Sequence, residues 1–383
     1  MNFTPSQMQL ELKESITRFI DSEYDQVERR NMLASAEGFS NVHWQRMAEL
    51  GCFKALFKAT DGGNGGTALD TMMLMEEIGK GLVIEPILAS QILSGRLIVE
   101  TCSESAKAKL LPQIISGALT YASGLYEPLG RYDLSYVSTR AYPRRTGFSL
   151  TGRKNFVLNG GDADKILISA RTGGAENSKG GISLFLLDSD LEGLSIHRYK
   201  NIDSHAAAEV ILDGVFVERS ANIGELGQVL PGIEAAVDAA TLALCAEAIG
   251  AMGELNRKTL EHCKTRKQFG VSLSSFQSLQ HRMADMLIEY EQAKSSMMYA
   301  VVMSDENHGI APKEISAAKY RVGIAARKIA QEAIQLHGAS GVTDELDISH
   351  YFKRLTTIEV QFGNNDFHLN RFIELSREEE DIN

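Results

Sequence analysis

The stretch that most constrains this chain lies between Thr241 and Met297. Residues 241–262 contain no proline and are rich in Ala and Leu, the composition of a long helix. The pattern breaks at Arg266, Lys267, Gln268, Phe269 and Gly270 and resumes at Phe276 and Gln277. Beyond it, Leu279, Met283, Met286, Leu287, Tyr290, Ala293 and Met297 recur at helical spacing, so a second long helix has one apolar face. Two helices joined at a glycine-containing corner predict an antiparallel hairpin. A bundle can turn on any glycine, so the polar cluster at this corner is more than a turn requires.

The rest of the chain is divided by a change of period. A chain of 383 residues exceeds one ordinary core. Up to about residue 118 the apolar spacing is helical, with Phe19 and Ile20, then Trp44, Met47, Leu50 and Phe53, then Met73, Met75, Ile78 and Leu82 marking successive faces. Thr4, Pro5, Ser6 and Gln7 have the composition of a helix start, Pro86 opens a further helix, and Ser103 begins a capped one. From Leu119 short apolar runs take over: 121–125, 148–152, 156–158, 166–168, 184–187 and 215–217, separated by Gly, Asp and Asn. Residues 173–181 are polar and glycine-rich and read as a mobile loop. From about residue 225 the pattern is helical again, ending in an acidic tail at 376–381 that reads as frayed. The fold class is therefore α+β multidomain, with a helical domain at 1–118, a β domain at 119–224 and a helical domain at 225–383.

Composition narrows the function. A formal net charge of -11 argues against broad contact with a nucleic acid backbone, which requires clustered cations. Cys52, Cys102, Cys245 and Cys263 are far apart and read as reduced core thiols rather than a disulfide framework. The N-terminal residues lack the basic start and apolar stretch of a signal peptide, and no segment reads as a membrane span, so a cytoplasmic address without membrane contact is expected. The run Asp61, Gly62, Gly63, Asn64, Gly65, Gly66 invites a phosphate-binding reading, but it lacks the Lys-Ser/Thr ending of a P-loop and follows no apolar strand. We read it as a loop.

The corner motif 266–270, the Phe276-Gln277 pair and a second run at 333–345 (Ala-Ile-Gln-Leu-His-Gly-Ala-Ser-Gly-Val-Thr-Asp-Glu) together resemble the acyl-CoA dehydrogenase family. The resemblance implies an N-terminal helical domain, a middle β-barrel-like domain and a C-terminal four-helix bundle. It implies FAD as hydride acceptor for the α,β-dehydrogenation of an acyl-CoA thioester, with electron-transfer flavoprotein as the onward acceptor. It also implies residues: Arg266 and Gln335 would reach across a subunit interface to a neighbour's FAD, with Gln268, Phe269, Gln277 and Gly338 beside them. Arg suits that role because its fork pairs with phosphate oxygens.

Other positions depart from the family pattern. The strand end that carries Thr-Glu-Pro and then Gly-Ser-Asp in the family reads Leu125, Tyr126, Glu127, Pro128, Leu129, Gly130, Arg131, Tyr132, Asp133, so Tyr126 replaces the hydroxyl expected at the flavin. The next flavin-facing stretch reads Phe156, Val157, Leu158, Asn159, Gly160, and Leu158 cannot donate where a Thr would. Phe362 stands at the position of the Glu that removes the α proton, and the alternative site for that Glu reads Ala240, Thr241. Glu359, Asp366 and Asp238 are nearby carboxylates, Asp366 being the weak candidate for a substitute base, and His368 reads as a packed or surface histidine. These features resemble the small subunits of bacterial hetero-oligomeric acyl-CoA dehydrogenases of the pimeloyl-CoA and steroid side-chain type. They imply a chain that lends FAD contacts to a catalytic partner subunit, or stands in a homo-oligomer. A flavin-dependent monooxygenase on the same fold, and a non-enzymatic scaffold subunit, are the alternatives.

Overall fold

The structure, a computed structural model, describes residues 5–35, 38–306 and 310–382. In chain order the first helices are α1 (Gln7–Glu23), α2 (Gln26–Ala34), α3 (Asn41–Glu49), α4 (Ala68–Gly81), α5 (Gly95–Thr101) and α6 (Glu104–Ile115). Seven strands follow: β1 (Tyr121–Gly124), β2 (Arg140–Pro143), β3 (Gly147–Leu158), β4 (Lys165–Arg171), β5 (Ile182–Asp188), β6 (Leu194–Lys200) and β7 (Ala206–Glu218). The chain ends in α7 (Leu230–Thr265), a hairpin of β8 (Lys267–Gln268) and β9 (Val271–Ser272), and then α8 (Gln277–Glu306), α9 (Pro312–His337), α10 (Ile348–Val360) and α11 (Asn365–Ile382). The helical, β, helical order is the one the periodicity predicts. By contact density the chain divides into two units, one of residues 1–30, 68–83 and 241–383, the other of 31–67 and 84–240.

In the first unit, α9 packs against α8, α10 and α11. The helix start predicted near Thr4 is capped by Ser6, whose hydroxyl accepts from the Gln9 N–H while the Gln9 side chain accepts from the Ser6 N–H; Thr4 itself lies outside the described residues. Helices α4 and α7 cross at two glycines: a Cβ on Gly79 would fall 1.9 Å from the Glu247 carbonyl oxygen, and one on Gly250 1.9 Å from that of Glu76. Only glycine allows backbones that close. Beside the crossing, Arg354 of α10 donates to Glu247 of α7 at 2.5 and 2.7 Å, both side chains buried. An Arg fork and a carboxylate match in geometry, which is what makes a buried charge pair tolerable. Helix α7 is long and apolar enough to cross a membrane by length and composition, contrary to the sequence expectation of no such segment, but 89% of that window is buried within the protein. The acidic tail expected to fray is helical within α11. On α8, Met286, Ala293 and Met297 of the predicted apolar face are buried, whereas Leu287 is exposed.

In the second unit the strands form a seven-stranded sheet of order β1-β4-β2-β3-β7-β6, with β5 paired to β4. Ala122, Leu150, Val157, Ile166, Ile168, Phe185, Val210 and Leu212 belong to its core cluster, and Phe148 meets Phe185 edge-on at 5.2 Å. The runs at 148–152 and 156–158 are one strand rather than two, because register shifts between Leu150 and Gly152 and between Lys154 and Val157 break its alternation against β7. The helix expected after Pro86 is a π-helical segment, Ile87–Ser94, whose Ser90 accepts from the Tyr121 N–H at 3.0 Å and whose Ser94 pairs with Ser123 at 2.8 Å. Residues 173–181, expected to be mobile, are clasped instead. The buried Arg171 guanidinium donates to the carbonyls of Gly180, Glu176 and Ser178 at 2.9, 2.8 and 3.1 Å, and to Ser135 and Val137 at 2.7 and 3.0 Å. The backbone of the glycine run is already engaged. The N–H groups of Gly63, Asn64, Gly65 and Gly66 donate to the carbonyls of Lys58, Lys54, Phe57 and Ala55, so the run is a folded-back loop.

Candidate functional site

At the end of α7 the corner is sharper than a helix-to-helix turn. Lys267 pairs with Ser272 and Gln268 with Val271, leaving Phe269 and Gly270 as a two-residue turn with φ of 53° and 84°. Left-handed backbone at both central positions is the geometry of a type I′ hairpin, which usually carries glycine or asparagine. A phenylalanine there is held in an uncommon conformation, and its ring is 91% exposed. Phe276 meets it edge-on at 6.3 Å. Arg266, Gln268 and Gln277 are exposed, and the Arg266 guanidinium makes no hydrogen bond or ion pair among the described residues.

The second signature lies beside the first. Gln335 is exposed on the last turn of α9, and Gly338 follows the helix with φ of 63° and open space where a Cβ would stand. His337, between them, stacks on His262, one turn before Arg266 on α7, with ring centroids 4.2 Å apart. Two segments more than sixty residues apart in the chain therefore meet through a pair of imidazoles.

The turn after α10 carries Phe362, which is buried with φ of 59°, and Gly363 with φ of 127°. It is pinned from below. The buried Lys319 ammonium of α9 donates to the carbonyls of Ile358, Glu359 and Gly363 at 2.9, 3.0 and 2.9 Å. Burial pulls that ammonium down to about 8, against the pull of Cys245 and Glu359 in the other direction. A Cβ on Gly363 would fall 2.5 Å from the Phe367 ring and 2.6 Å from His368 Nε2, so no larger residue fits without movement. His368 is packed, and burial, aided by the nearby cations of Lys319 and Arg371, pulls its ring down to about 3, so it is neutral.

None of the weighed carboxylates stands free in a cavity. Glu359 is buried, accepts from Arg327 Nε at 2.9 Å and from Asn365 Nδ2 at 3.4 Å. Asp366 is exposed in the first turn of α11, where a carboxylate complements the helix dipole. Asp238, Ala240 and Thr241 are buried along α7.

In the second unit, the exit of β1 and the far half of β3 are adjacent: the Asn155 N–H donates to the Tyr126 carbonyl at 3.0 Å. Leu125 is buried, while Tyr126, Phe156 and Leu158 are half-buried, Phe156 with φ of 52°. Flanking them, the Asn155 Oδ1 and Asn159 Nδ2 atoms are buried without a hydrogen-bond partner among the described residues. What locks the two segments together is a pair that sequence reasoning missed. Lys154 Nζ donates to Glu127 Oε1 at 2.8 Å and to Ser169 at 3.0 Å, and Glu127 also accepts from the N–H groups of Ser138 and Thr139 at 2.7 and 3.0 Å and from the Ser138 hydroxyl. Burial opposes ionisation of Glu127, but Lys154 and these donors outweigh it and hold the carboxyl at about 2. Lys154 lies in a polar run, Arg-Lys-Asn, that gives no sign of an inward-facing cation.

The fold and its two-signature corner define a class of protein that the known proteins then identify. Models of the N-terminal, middle and C-terminal domains of acyl-CoA dehydrogenases match residues 6–118, 122–215 and 232–374. The chain belongs to the acyl-CoA dehydrogenase family. The probable acyl-CoA dehydrogenase YngJ of Bacillus subtilis is 26% identical over 371 residues, 96% of this chain and 97% of that protein. Among solved structures, PigA with FAD and proline superposes with a TM-score of 0.89 at 25% identity, covering 98% of each chain. A variant of the Tcur3481-Tcur3483 steroid ACAD superposes with a TM-score of 0.86 at 25% identity, covering 98% of this chain and 99% of the other.

Proposed function

We propose that this chain is a subunit of an FAD-dependent acyl-CoA dehydrogenase that lends Arg266, Gln335 and their neighbours to the FAD of a catalytic partner, and that it carries no catalytic base of its own. The observation that carries the reading is a contrast within one unit. The corner presents an unpaired guanidinium and exposed amides, brought beside the α9 end by His262 and His337. The turn at 361–363 presents Gln361, Phe362 and Gly363, none of which accepts a proton, and Glu359, two residues before it, is held by Arg327.

The donor set fits the anionic half of the dinucleotide. Arg266 supplies a fork for phosphate oxygens, Gln268, Gln277 and Gln335 supply amide donors and acceptors, and the open backbone at Gly338 permits close approach. Bound FAD supplies a hydride acceptor. Phe269, fixed in its left-handed turn, offers an exposed ring at the edge of that surface. At this chain's own flavin-facing segment, taken by itself, Asn155 Oδ1 and Asn159 Nδ2, which have no hydrogen-bond partner among the described residues, offer polar contacts beside Leu125, Tyr126, Phe156 and Leu158. Where the family base stands, Phe362 can exclude water but cannot remove a proton. The division at 118 and 224, the cytoplasmic address and electron-transfer flavoprotein as acceptor belong to the same reading.

Co-expression with the products of its neighbouring genes, followed by purification and a visible spectrum, tests it. A yellow hetero-complex active on an acyl-CoA, with the chain alone inactive toward an artificial acceptor, is expected. Robust dehydrogenation by the chain alone refutes it; oxygen consumption with reduced flavin identifies a monooxygenase instead, and a colourless product with every partner a scaffold.

A further inference from the structure

The histidine stack that joins the two signatures is itself built. His262 and His337 lie with centroids 4.2 Å apart and planes 29° from parallel. On one side, the His262 carbonyl accepts the Arg266 N–H at 2.9 Å, so the ring and the guanidinium share one helical turn. On the other, His337 Nδ1 donates to the Ala333 carbonyl at 2.8 Å, which fixes the ring's rotation and leaves Nε2 unprotonated in the neutral form. The Gln335 carbonyl in turn accepts the Gly338 N–H, closing α9. One turn earlier on α7, Lys258 pairs at 2.7 Å with Asp347, the N-cap residue of α10.

We propose that His262 and His337 are positioning residues: their neutral stack sets the spacing between Arg266 and Gln335, and hence the fit of this surface to the phosphates of a dinucleotide. The inference rests on the flavin-lending reading above. The charged groups around the pair are Arg266 just past α7, Lys258 on α7 and Asp347 at the start of α10. Protonating both rings sets two cations face to face, one of them within a helical turn of Arg266, and like charges at that range oppose the stack. Burial already lowers the affinity of both rings for a proton, helped at His262 by His337 and Arg266. The sign follows. A base whose folded affinity for protons is depressed keeps its neutral contact in full above its ordinary value of 6.5 and loses it as pH falls through the lowered one.

The test uses the full chain, alone and in its complex. Flavin retention by the complex is measured between pH 8 and pH 5 for the native chain and for His262→Phe and His262→Ala. The native complex is expected to weaken in acid. His262→Phe, which stacks but does not titrate, is expected to match it at pH 8 and to stay flat. His262→Ala is expected to be roughly three- to tenfold weaker than the native complex at pH 8, the range of an aromatic pair, with the difference shrinking toward pH 5. Amide hydrogen exchange on the chain alone gives a readout independent of flavin, with faster exchange at 267–272 and 338–342 expected in His262→Ala. The proposal is overturned by an acid profile in His262→Phe equal to the native one, or by His262→Ala exchanging like the native chain. If no complex holds flavin, the function reading fails, and the exchange measurement alone decides whether the stack positions the corner.

Discussion

Glu127→Gln removes one charge and changes almost no volume, and its effect can be worked from the structure. A carboxyl held at about 2 instead of the ordinary 4.5 is an ionised form favoured by about 3 kcal/mol in the native state. A second route gives a similar figure: breaking a buried ion pair leaves an uncompensated charge, here the fully buried Lys154 ammonium, at about 3–5 kcal/mol. The variant amide also turns its N–H groups toward either the Ser138 donors or the Thr139 donor, which now meet separate carboxylate oxygens. Urea denaturation near pH 7 should therefore show a loss of about 3–4 kcal/mol. The pH dependence has a definite sign. Because the folded carboxyl is depressed, its contribution is complete above 4.5 and disappears as pH falls toward 2, so native and variant stabilities should converge in that window. The double variant Glu127→Gln/Lys154→Met, which removes both charges, should recover at least half of the loss. A single variant within about 1 kcal/mol of native, or acid profiles that remain parallel, would show that the pair is solvated in solution and the reasoning wrong.

Arg266→Ala should weaken flavin retention in the assembled complex by roughly 1.5–3 kcal/mol, the worth of a charge-assisted contact, with Gln335→Ala as an independent check; unchanged flavin content in both would make the corner merely structural. Gly250→Ala drives a methyl carbon into the Glu76 carbonyl across the α4–α7 crossing and should lower the melting temperature markedly, whereas Gly270→Ala, with nothing within 4 Å, should show only the cost of its left-handed φ. Phe362→Glu restores a carboxylate near the family's base position but buries it in an apolar setting. A less stable and inactive variant is expected, and turnover of an acyl-CoA without loss of melting temperature would reopen the question of an own active site.

Much of this protein could be read from residue order. Spacing at 279–297 and the proline-free run before it pointed to α7 and α8, because an apolar face repeated over many turns is compatible with little but helix. The two signatures were legible as a family resemblance, because their residue types stand at fixed spacing whatever the packing, and the C-terminal domain model spans both. That Phe362 and Ala240 cannot take a proton was legible as well, since that property of a side chain does not depend on packing. What the sequence hid is of another kind. Strand β6 and the Ala-Ala-Ala-Glu start of β7 escaped because their alternation is masked by small and charged residues, and register is set by the partner strand. The direction of Lys154, Arg171 and Lys319 was also hidden, since a cation's burial is permitted only by carbonyls and carboxylates that arrive from distant segments. Residue types and their period determined the order of helical and β regions along this chain. The tertiary structure alone decided that His262 would meet His337, that Glu359 would belong to Arg327, and that a glycine-rich loop would be gripped by one arginine, because each of those is a contact between groups that chain order leaves far apart.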